Sequence, residues 1–231
     1  MRFLGVATDY DGTLAEYGHV DEKTWAAVRQ LRKSGRKILI VTGREVKDLQ
    51  AICGHLKKFD CVVAENGAVL YWPCTNEMSV LAEAPPPAFA RALAIKGVKQ
   101  FASGIVIVAT VRPYESVVLD TIRELGLELQ VIFNQESVMV LPTGVNKATG
   151  LVAALLEMGI KPQQVVGIGN AENDHALLAA CGFAVAVNDA VPALRERAHW
   201  VTQGGSGSGV VELIDGLLAD DLRSILRRVL V

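Results

Sequence analysis

Asp9-Tyr10-Asp11-Gly12-Thr13 follows the first apolar run of the chain, Phe3-Leu4-Gly5-Val6-Ala7-Thr8, and the fold turns on how that junction is read. The run is short, continuous and closed by a turn signal, which reads as a buried strand. At its exit stand two carboxylates spaced i and i+2, a spacing that puts both on one face of an extended chain. Two acids at a strand's carboxyl end can act as nucleophile and proton donor, or as metal ligands. The same five residues also suit an Asp-Gly turn with solvated acids, so the pentapeptide alone does not decide.

Outward from this junction, apolar runs alternate with amphipathic patterns. A helix is expected over 21–34 with Trp25, Val28 and Leu31 on one face, then a strand at 37–41, a helix near 44–56 and a strand at 60–64. This β-α-β-α-β order predicts a parallel sheet with helices on its faces. Glu65-Asn66-Gly67 ends the third strand and starts a hairpin pairing 68–72 with 78–82. Pro85-Pro86-Pro87 then breaks the pattern as a stiff, extended connector. Up to Pro142 the order becomes helix 87–96, strand 104–111, helix 114–125 and strands 128–133 and 137–141, an α-β-α-β-β insert with an antiparallel sheet. From Gly144 the first pattern resumes, with a helix at 146–158, a strand at 164–168, a helix at 173–180 and a strand at 183–187. A helix near 191–197, a short strand at 199–202 and helices near 209–218 and 220–229 follow. The expected organisation is an α/β core of residues 1–84 and 143–231 with a small α+β domain, 85–142, inserted in it. Gly204-Gly205-Ser206-Gly207-Ser208-Gly209 reads as a linker, with a mobile active-site loop as the alternative, since ligands bind at that edge of open α/β sheets.

Composition narrows the function. At 231 residues the chain can bury a substantial core, and 51% hydrophobic with 6% aromatic residues suits an Ala/Val/Leu-rich α/β protein. A net charge of −2 with both signs dispersed gives no nucleic-acid surface. Cys53, Cys61, Cys74 and Cys181 show no CxxC spacing and read as inert thiols of a reducing cytosol. The N-terminal apolar run is too short for a signal peptide and no run approaches a membrane span, so a soluble, cytoplasmic protein is expected. Val117, Val118 and the apolar positions Leu222, Ile225, Leu226 and Val229 suit either core or interface, which leaves monomer and homodimer open.

Four separated segments resemble the haloacid dehalogenase superfamily of phosphatases. Asp9–Leu14 (DYDGTL) resembles its first motif and Val41-Thr42-Gly43-Arg44 its second. Val145–Gly150 (VNKATG), with a Lys opening a helix, resembles the third, and Gly167–Asp174 (GIGNAEND) the fourth, usually written GDGxND. The resemblance implies a Rossmann-like three-layer α/β/α core, and the insert resembles a reduced type IIB cap. It implies Asp9 as nucleophile forming an aspartyl-phosphate, and Asp11 as acid and then base. Mg²⁺ would be held by Asp9, the Asp11 main chain, Asn170 and Asp174. Thr42, Gly43, Lys147 and Asn173 would bind phosphate. A lysine at a helix N-terminus is disfavoured unless an anion is bound, which supports its role.

The fourth motif departs from the pattern: Asn170 stands where the family has an acid, and Ala171 where it has Gly. An amide oxygen coordinates Mg²⁺ without supplying charge, so weaker metal binding is expected, with Glu172 as a candidate to compensate. For specificity, Arg112, Tyr114 and Glu115 form the most polar cluster at an insert strand end, beside the alternative of a solvated turn at Pro113. Arg44 is expected to face the substrate or to pair with Asp48, and Asn134-Gln135-Glu136 reads as a hairpin turn. The implied activity is a Mg²⁺-dependent phosphatase of a small phosphorylated metabolite, phosphoglycolate or a sugar phosphate. A phosphomutase of the same fold, or a binding protein weakened at Asn170, are the alternatives.

Overall fold

The computed structural model describes residues 1–229. β1 (Gly5–Thr8) is buried along its whole length. α1 (Glu22–Lys33) begins where the Asp21 side chain accepts from the Thr24 N–H at 2.7 Å, satisfying a free donor of the first turn, and it buries Trp25, Val28 and Leu31. β2 (Lys37–Val41), α2 (Val46–Ile52) and β3 (Cys61–Ala64) complete the first β-α-β-α-β run, and β4 (Val69–Trp72) with β5 (Glu77–Val80) form the hairpin. The second helix is shorter than the expected 44–56. Thr42 Oγ1 accepts from the Arg44 N–H at 3.1 Å and holds the chain in a turn before the helix, while Gly54 follows its end.

Residues 87–142 build a second, four-stranded sheet. Its elements are α3 (Pro87–Ile95), β6 (Phe101–Ser103), β7 (Val108–Val111), α4 (Glu115–Glu124), β8 (Leu129–Asn134) and β9 (Ser137–Pro142). The strand order is β6-β7-β9-β8, antiparallel throughout, with Phe89, Leu93 and Val118 packed on Val108, Val138 and Val140. The strand expected over 104–111 starts only at Val108, as β7, and β6, which the sequence did not suggest, precedes it. Between them, the N–H groups of Ile105, Val106 and Ile107 go to the Glu65 carboxylate at 2.7–2.9 Å instead of to a neighbouring strand. The insertion is therefore α-β-β-α-β-β, fuller than the reduced form expected.

The chain returns through α5 (Lys147–Glu157), whose start is a capping box between Asn146 and Thr149. That start is seated on Gly67, at φ 109°, where a Cβ would lie 2.0 Å from the Asn146 carbonyl oxygen. β10 (Val165–Gly169), α6 (Asp174–Ala180), β11 (Phe183–Ala186), α7 (Pro192–Arg197), β12 (Trp200–Val201), α8 (Ser206–Asp220) and α9 (Arg223–Val229) follow. The first sheet has the order β12-β11-β10-β1-β2-β3-β4-β5, parallel from β12 to β3 and antiparallel at β4 and β5. Alternate residues feed two cores: Val6, Ile38 and Ile40 meet Val28, Leu31 and Val210 on one face, while Ala7, Leu39 and Val41 share the other with Leu151 and Leu155. This is a three-layer α/β/α arrangement.

The Gly/Ser segment is no linker. Residues 206–209 are the first turn of α8, where a Cβ on Gly207 would stand 2.5 Å from Thr24 Oγ1 and one on Gly209 2.6 Å from Thr202 Oγ1. Close packing, not flexibility, explains those glycines. Val118, Leu222 and Leu226 are buried, and Val117 and Ile225 pack beside them, so they belong to the cores. The side chain of Val229, and residues 230–231 of the expected core segment, lie outside the described residues.

Candidate active site

The carboxyl ends of β1, β2 and β10 and the start of α5 converge on one buried constellation. Lys147, 1% exposed, donates from Nζ to Asp9 Oδ1 at 2.5 Å and to Asp174 Oδ1 at 2.6 Å. Asp174 Oδ2 accepts from the N–H groups of Asn170 and Ala171 at 2.9 and 3.0 Å. Both Asp174 oxygens are thus committed, so it positions the lysine and shapes the fourth-motif loop. Asp9 is only 6% exposed, lines the cavity above, and its Oδ2 accepts no hydrogen bond among the described residues. Burial, then the charge of Asp174, pushes the Asp9 carboxyl up to about 7 despite Lys147. Burial opposes the Lys147 charge, but Asp174 and Asp9 outweigh it and hold the ammonium protonated. One lysine serves two carboxylates, so the constellation lacks one positive charge.

Asp11 stands half-exposed beside this floor. Arg44 grips it with two bonds, Nε to Oδ2 at 2.6 Å and Nη2 to Oδ1 at 2.8 Å. Of the two expected roles, Arg44 does not pair with Asp48, since it precedes α2 and turns back to the first motif, and it lines the cavity instead. Thr42 is buried and, with Gly43, lines the cavity. Asn170 Oδ1 accepts from Thr13 Oγ1 at 3.0 Å, and its Nδ2 lies 2.3 Å from where a Gly12 Cβ would stand, with Gly12 at φ 74°. Asn173 does not line the cavity. Its Nδ2 donates to Asn66 Oδ1 at 3.1 Å, and Asn66 N–H donates in turn to the Thr42 carbonyl, so the two asparagines brace the loops. Asn173 Oδ1 and Asn66 Nδ2 are buried without partners.

The cavity, about 690 Å³, is roofed by the second sheet: Ala109, Met139 and the β8–β9 turn Asn134–Ser137. Met139 Sδ comes within 3.1 Å of the position a Gly43 Cβ would take. The turn read from sequence is a turn, with Gln135 at φ 52°, but it lines the same cavity as Asp9. Arg112 and Tyr114 do not line the cavity. The Arg112 guanidinium lies over the Phe133 ring at 5.4 Å, and Tyr114 packs into the core of the second sheet. Glu172 accepts from the Gln135 N–H at 3.4 Å and does not line the cavity, so it is no substitute for the missing acid. Asp189 and Ser206 do line it. Sequence reasoning passed over Asp189, Glu65 and Asn66, while Ser206 lies in the segment whose alternative reading was an active-site loop.

Among the described residues no three His, Cys, Asp or Glu side chains are grouped closely enough to hold a metal by themselves. A cation here would rest on Asp9, the Asn170 amide oxygen, main-chain carbonyls and water. That all-oxygen set suits Mg²⁺, which keeps several waters and takes one or two carboxylates. The uncommitted Asp9 Oδ2 and the missing positive charge show that the residues fit such an ion.

The fold and site together define an α/β enzyme whose cavity sets a buried aspartate against a buried lysine at the carboxyl ends of a parallel sheet. The chain belongs to the haloacid dehalogenase-like hydrolases, whose family model matches residues 6–87 and 128–214. The gap between the two matched segments, residues 88–127, falls inside the insertion. A phosphoglycolate phosphatase of Methanothermobacter thermautotrophicus is 30% identical over 214 residues, covering 90% of this chain and 96% of its own. Phosphoglycolate phosphatase 2 of Saccharolobus solfataricus is 31% identical over 220 residues, covering 93% and 92%. Two solved structures share the fold. A haloacid dehalogenase-like hydrolase from Bacteroides thetaiotaomicron has a TM-score of 0.79 at 15% identity, covering 93% of this chain and 99% of its own. A subclass IIB sugar phosphatase of the superfamily has a TM-score of 0.76 at 18% identity, covering 92% and 98%.

Proposed function

We propose that the chain is a Mg²⁺-dependent phosphatase acting on a small phosphorylated metabolite through an aspartyl-phosphate on Asp9. The observation that carries this reading is the Asp9 Oδ2, uncommitted and facing the cavity while Lys147 holds Oδ1 from behind. Asp9 attacks phosphorus as the bond to the ester oxygen breaks, and Asp11 gives that oxygen its proton. Asp11 then takes a proton from water, which attacks phosphorus and releases phosphate and free Asp9. The Thr42 hydroxyl and the Gly43 backbone line the cavity and suit the non-bridging oxygens. Asp9, Asn170 and the Asp11 carbonyl would hold Mg²⁺, which supplies charge neutralisation for two approaching anions. In this conformer Arg44 occupies both Asp11 oxygens, so Asp11 acts only after Arg44 exchanges it for the incoming anion. The second sheet serves as a cap that excludes water from the transfer.

The named relatives favour phosphoglycolate as substrate. The lining adds a hydroxylated alternative: Arg44 is its one cationic side chain, whereas Asn134, Gln135, Glu136, Ser137 and Ser206 suit hydroxyl groups. Hydrolysis of a panel including phosphoglycolate and hexose phosphates, with and without Mg²⁺, tests the reading. Turnover abolished by Asp9→Asn is expected, and no phosphate release from any ester would leave the binding-protein alternative. The four cysteines are free, which supports a reducing compartment such as the cytoplasm. No helix among the described residues is long and apolar enough to cross a membrane.

A further inference from the structure

Asn170 leaves the proposed cation short of one carboxylate, and another carboxylate stands on the same cavity. Asp189, in the loop between β11 and α7, is exposed and lines the cavity with Asp9, Asn170 and Ser206. Its loop is joined to the fourth motif by the Val191 N–H, which donates to the Asn170 carbonyl at 2.9 Å. It is joined to the first motif through Ser206. The Ser206 N–H donates to Asp189 Oδ1 at 3.2 Å, and Ser206 Oγ lies 3.4 Å from Asp189 Oδ2 and 3.3 Å from the Gly12 carbonyl oxygen. A hydroxyl has one proton, so Ser206 serves one of those two oxygens at a time. Both contacts to Asp189 are long, which leaves it lightly held.

No lysine or arginine pairs with Asp189 among the described residues, and Arg44, the one cationic side chain on the cavity, is engaged by Asp11. Asp189 is an unpaired carboxylate on the same cavity as Asp9, as Glu16 and Glu136 are, but its loop is the one bonded to Asn170, and Asp9 is more than nine-tenths buried with one oxygen uncommitted. An unpaired carboxylate on the same cavity as an aspartate that shares its lysine with Asp174 leaves that cavity short of positive charge, which a bound cation would supply. We infer that Asp189 supplies the charge Asn170 lacks: the divalent cation held by Asp9 is also held by Asp189, directly or through a bound water. This rests on the cation-dependent reading of the cavity and moves its second acid from the fourth motif to the loop after β11. Asn170, beside any neutral contact it makes to the cation, fills the space over Gly12 and accepts from Thr13.

The test is calorimetric titration of Mg²⁺ or Mn²⁺ into the full chain without substrate. Asp189→Asn, isosteric and exposed, is expected to weaken the cation about 10- to 100-fold, the usual cost of losing such a supporting group. Asn170→Asp combined with Asp189→Asn returns the carboxylate to the fourth motif and is expected to restore most of the affinity. A purely structural Asp189, capping Ser206, would instead lower the cation-free melting temperature and leave affinity unchanged. That result, or a double variant that regains nothing, overturns the inference. A wild type that binds no cation overturns it as well. A wild type that binds the cation through Asp189 yet hydrolyses no ester supports the inference and sinks the phosphatase reading instead.

Discussion

The cavity has a floor and a roof of opposite character. The floor is Lys147, Asp9 and Asp174, cross-linked by bonds of 2.5–3.0 Å, together with Thr42, all buried to within a few per cent. The roof is a two-residue hairpin tip and its flanks, Asn134–Ser137, half-buried or exposed and tied to the floor's loops by one long contact at 3.4 Å. A floor so committed can position charge for one reaction and little else. A roof so free can differ from relative to relative without disturbing that chemistry. The contrast assigns reaction type to one layer and substrate choice to the other.

The sharpest way to break the floor is to remove its cation. Lys147→Met leaves Asp9 and Asp174 buried together, and loss of one partner from a buried charge network costs about 3–5 kcal/mol. Urea melts should show that loss, with hydrolysis gone, and a smaller loss in Asp9→Asn with Lys147→Met, where one of the two stranded carboxylates is neutral. A change under about 1 kcal/mol would mean the constellation is not the rigid floor described.

Next comes the joint between the layers. Glu65 is fully buried at φ 49° and accepts three consecutive N–H groups from the turn between β6 and β7. Glu65→Gln sets an NH₂ against those donors and should cost about 2–3 kcal/mol. Hydrogen exchange should speed up at residues 105–107 while β1 and β2 stay protected. Uniform loss of protection would make Glu65 part of the global core instead of a joint.

Asp9 gives the floor a pH signature. Its carboxyl titrates near 7, against 3.8 in an unfolded chain, with burial as the main cause. The unfolded chain therefore ionises first, and stability is lost as pH rises from about 4 to about 7. Asp9→Asn removes that loss, so without a cation it should be the more stable protein at pH 8, by about 1–3 kcal/mol once the lost Lys147 contact is discounted. The gap should close as pH falls toward 4. Because cation and proton compete for Asp9, Mg²⁺ affinity of the wild type should also fall below pH 7.

The floor was legible because its signals are local. A continuous apolar run ending in Asp9, and a lysine directly after a capping asparagine, are patterns that backbone geometry imposes on sequence. Lys147 and Asp9, far apart in the chain, meet because the start of α5 is seated on Gly67 at the carboxyl end of the sheet, where β1 also ends. What sequence hid is what depends on tertiary direction. Arg44 reaches Asp11 because the chain turns at Thr42 before α2 starts. Arg112 and Tyr114 looked polar and well placed, yet they face the ring of Phe133 and the core of the second sheet. Residues 204–209 have the composition of a linker, but glycine marks tight packing as readily as freedom, and here α8 presses on Thr24 and Thr202.

The smallest expected effect falls on the roof, and it tests the division of labour most directly. Gln135 and Asn134 lie at the tip of a turn whose backbone is already set by the β8–β9 pairing. Asn134→Ala or Gln135→Ala should leave stability within about 0.5 kcal/mol, as surface changes outside such networks do. Hydrolysis of a minimal ester such as p-nitrophenyl phosphate should stay near wild type, since that ester asks only for the floor. Discrimination between phosphoglycolate and a hexose phosphate should shift by about tenfold, the value of one lost hydrogen bond of about 1.4 kcal/mol. The ratio of kcat/KM values for the two esters is the measurement. If both fall equally with the minimal ester, the turn supports the chemistry itself, and the separation of floor from roof fails.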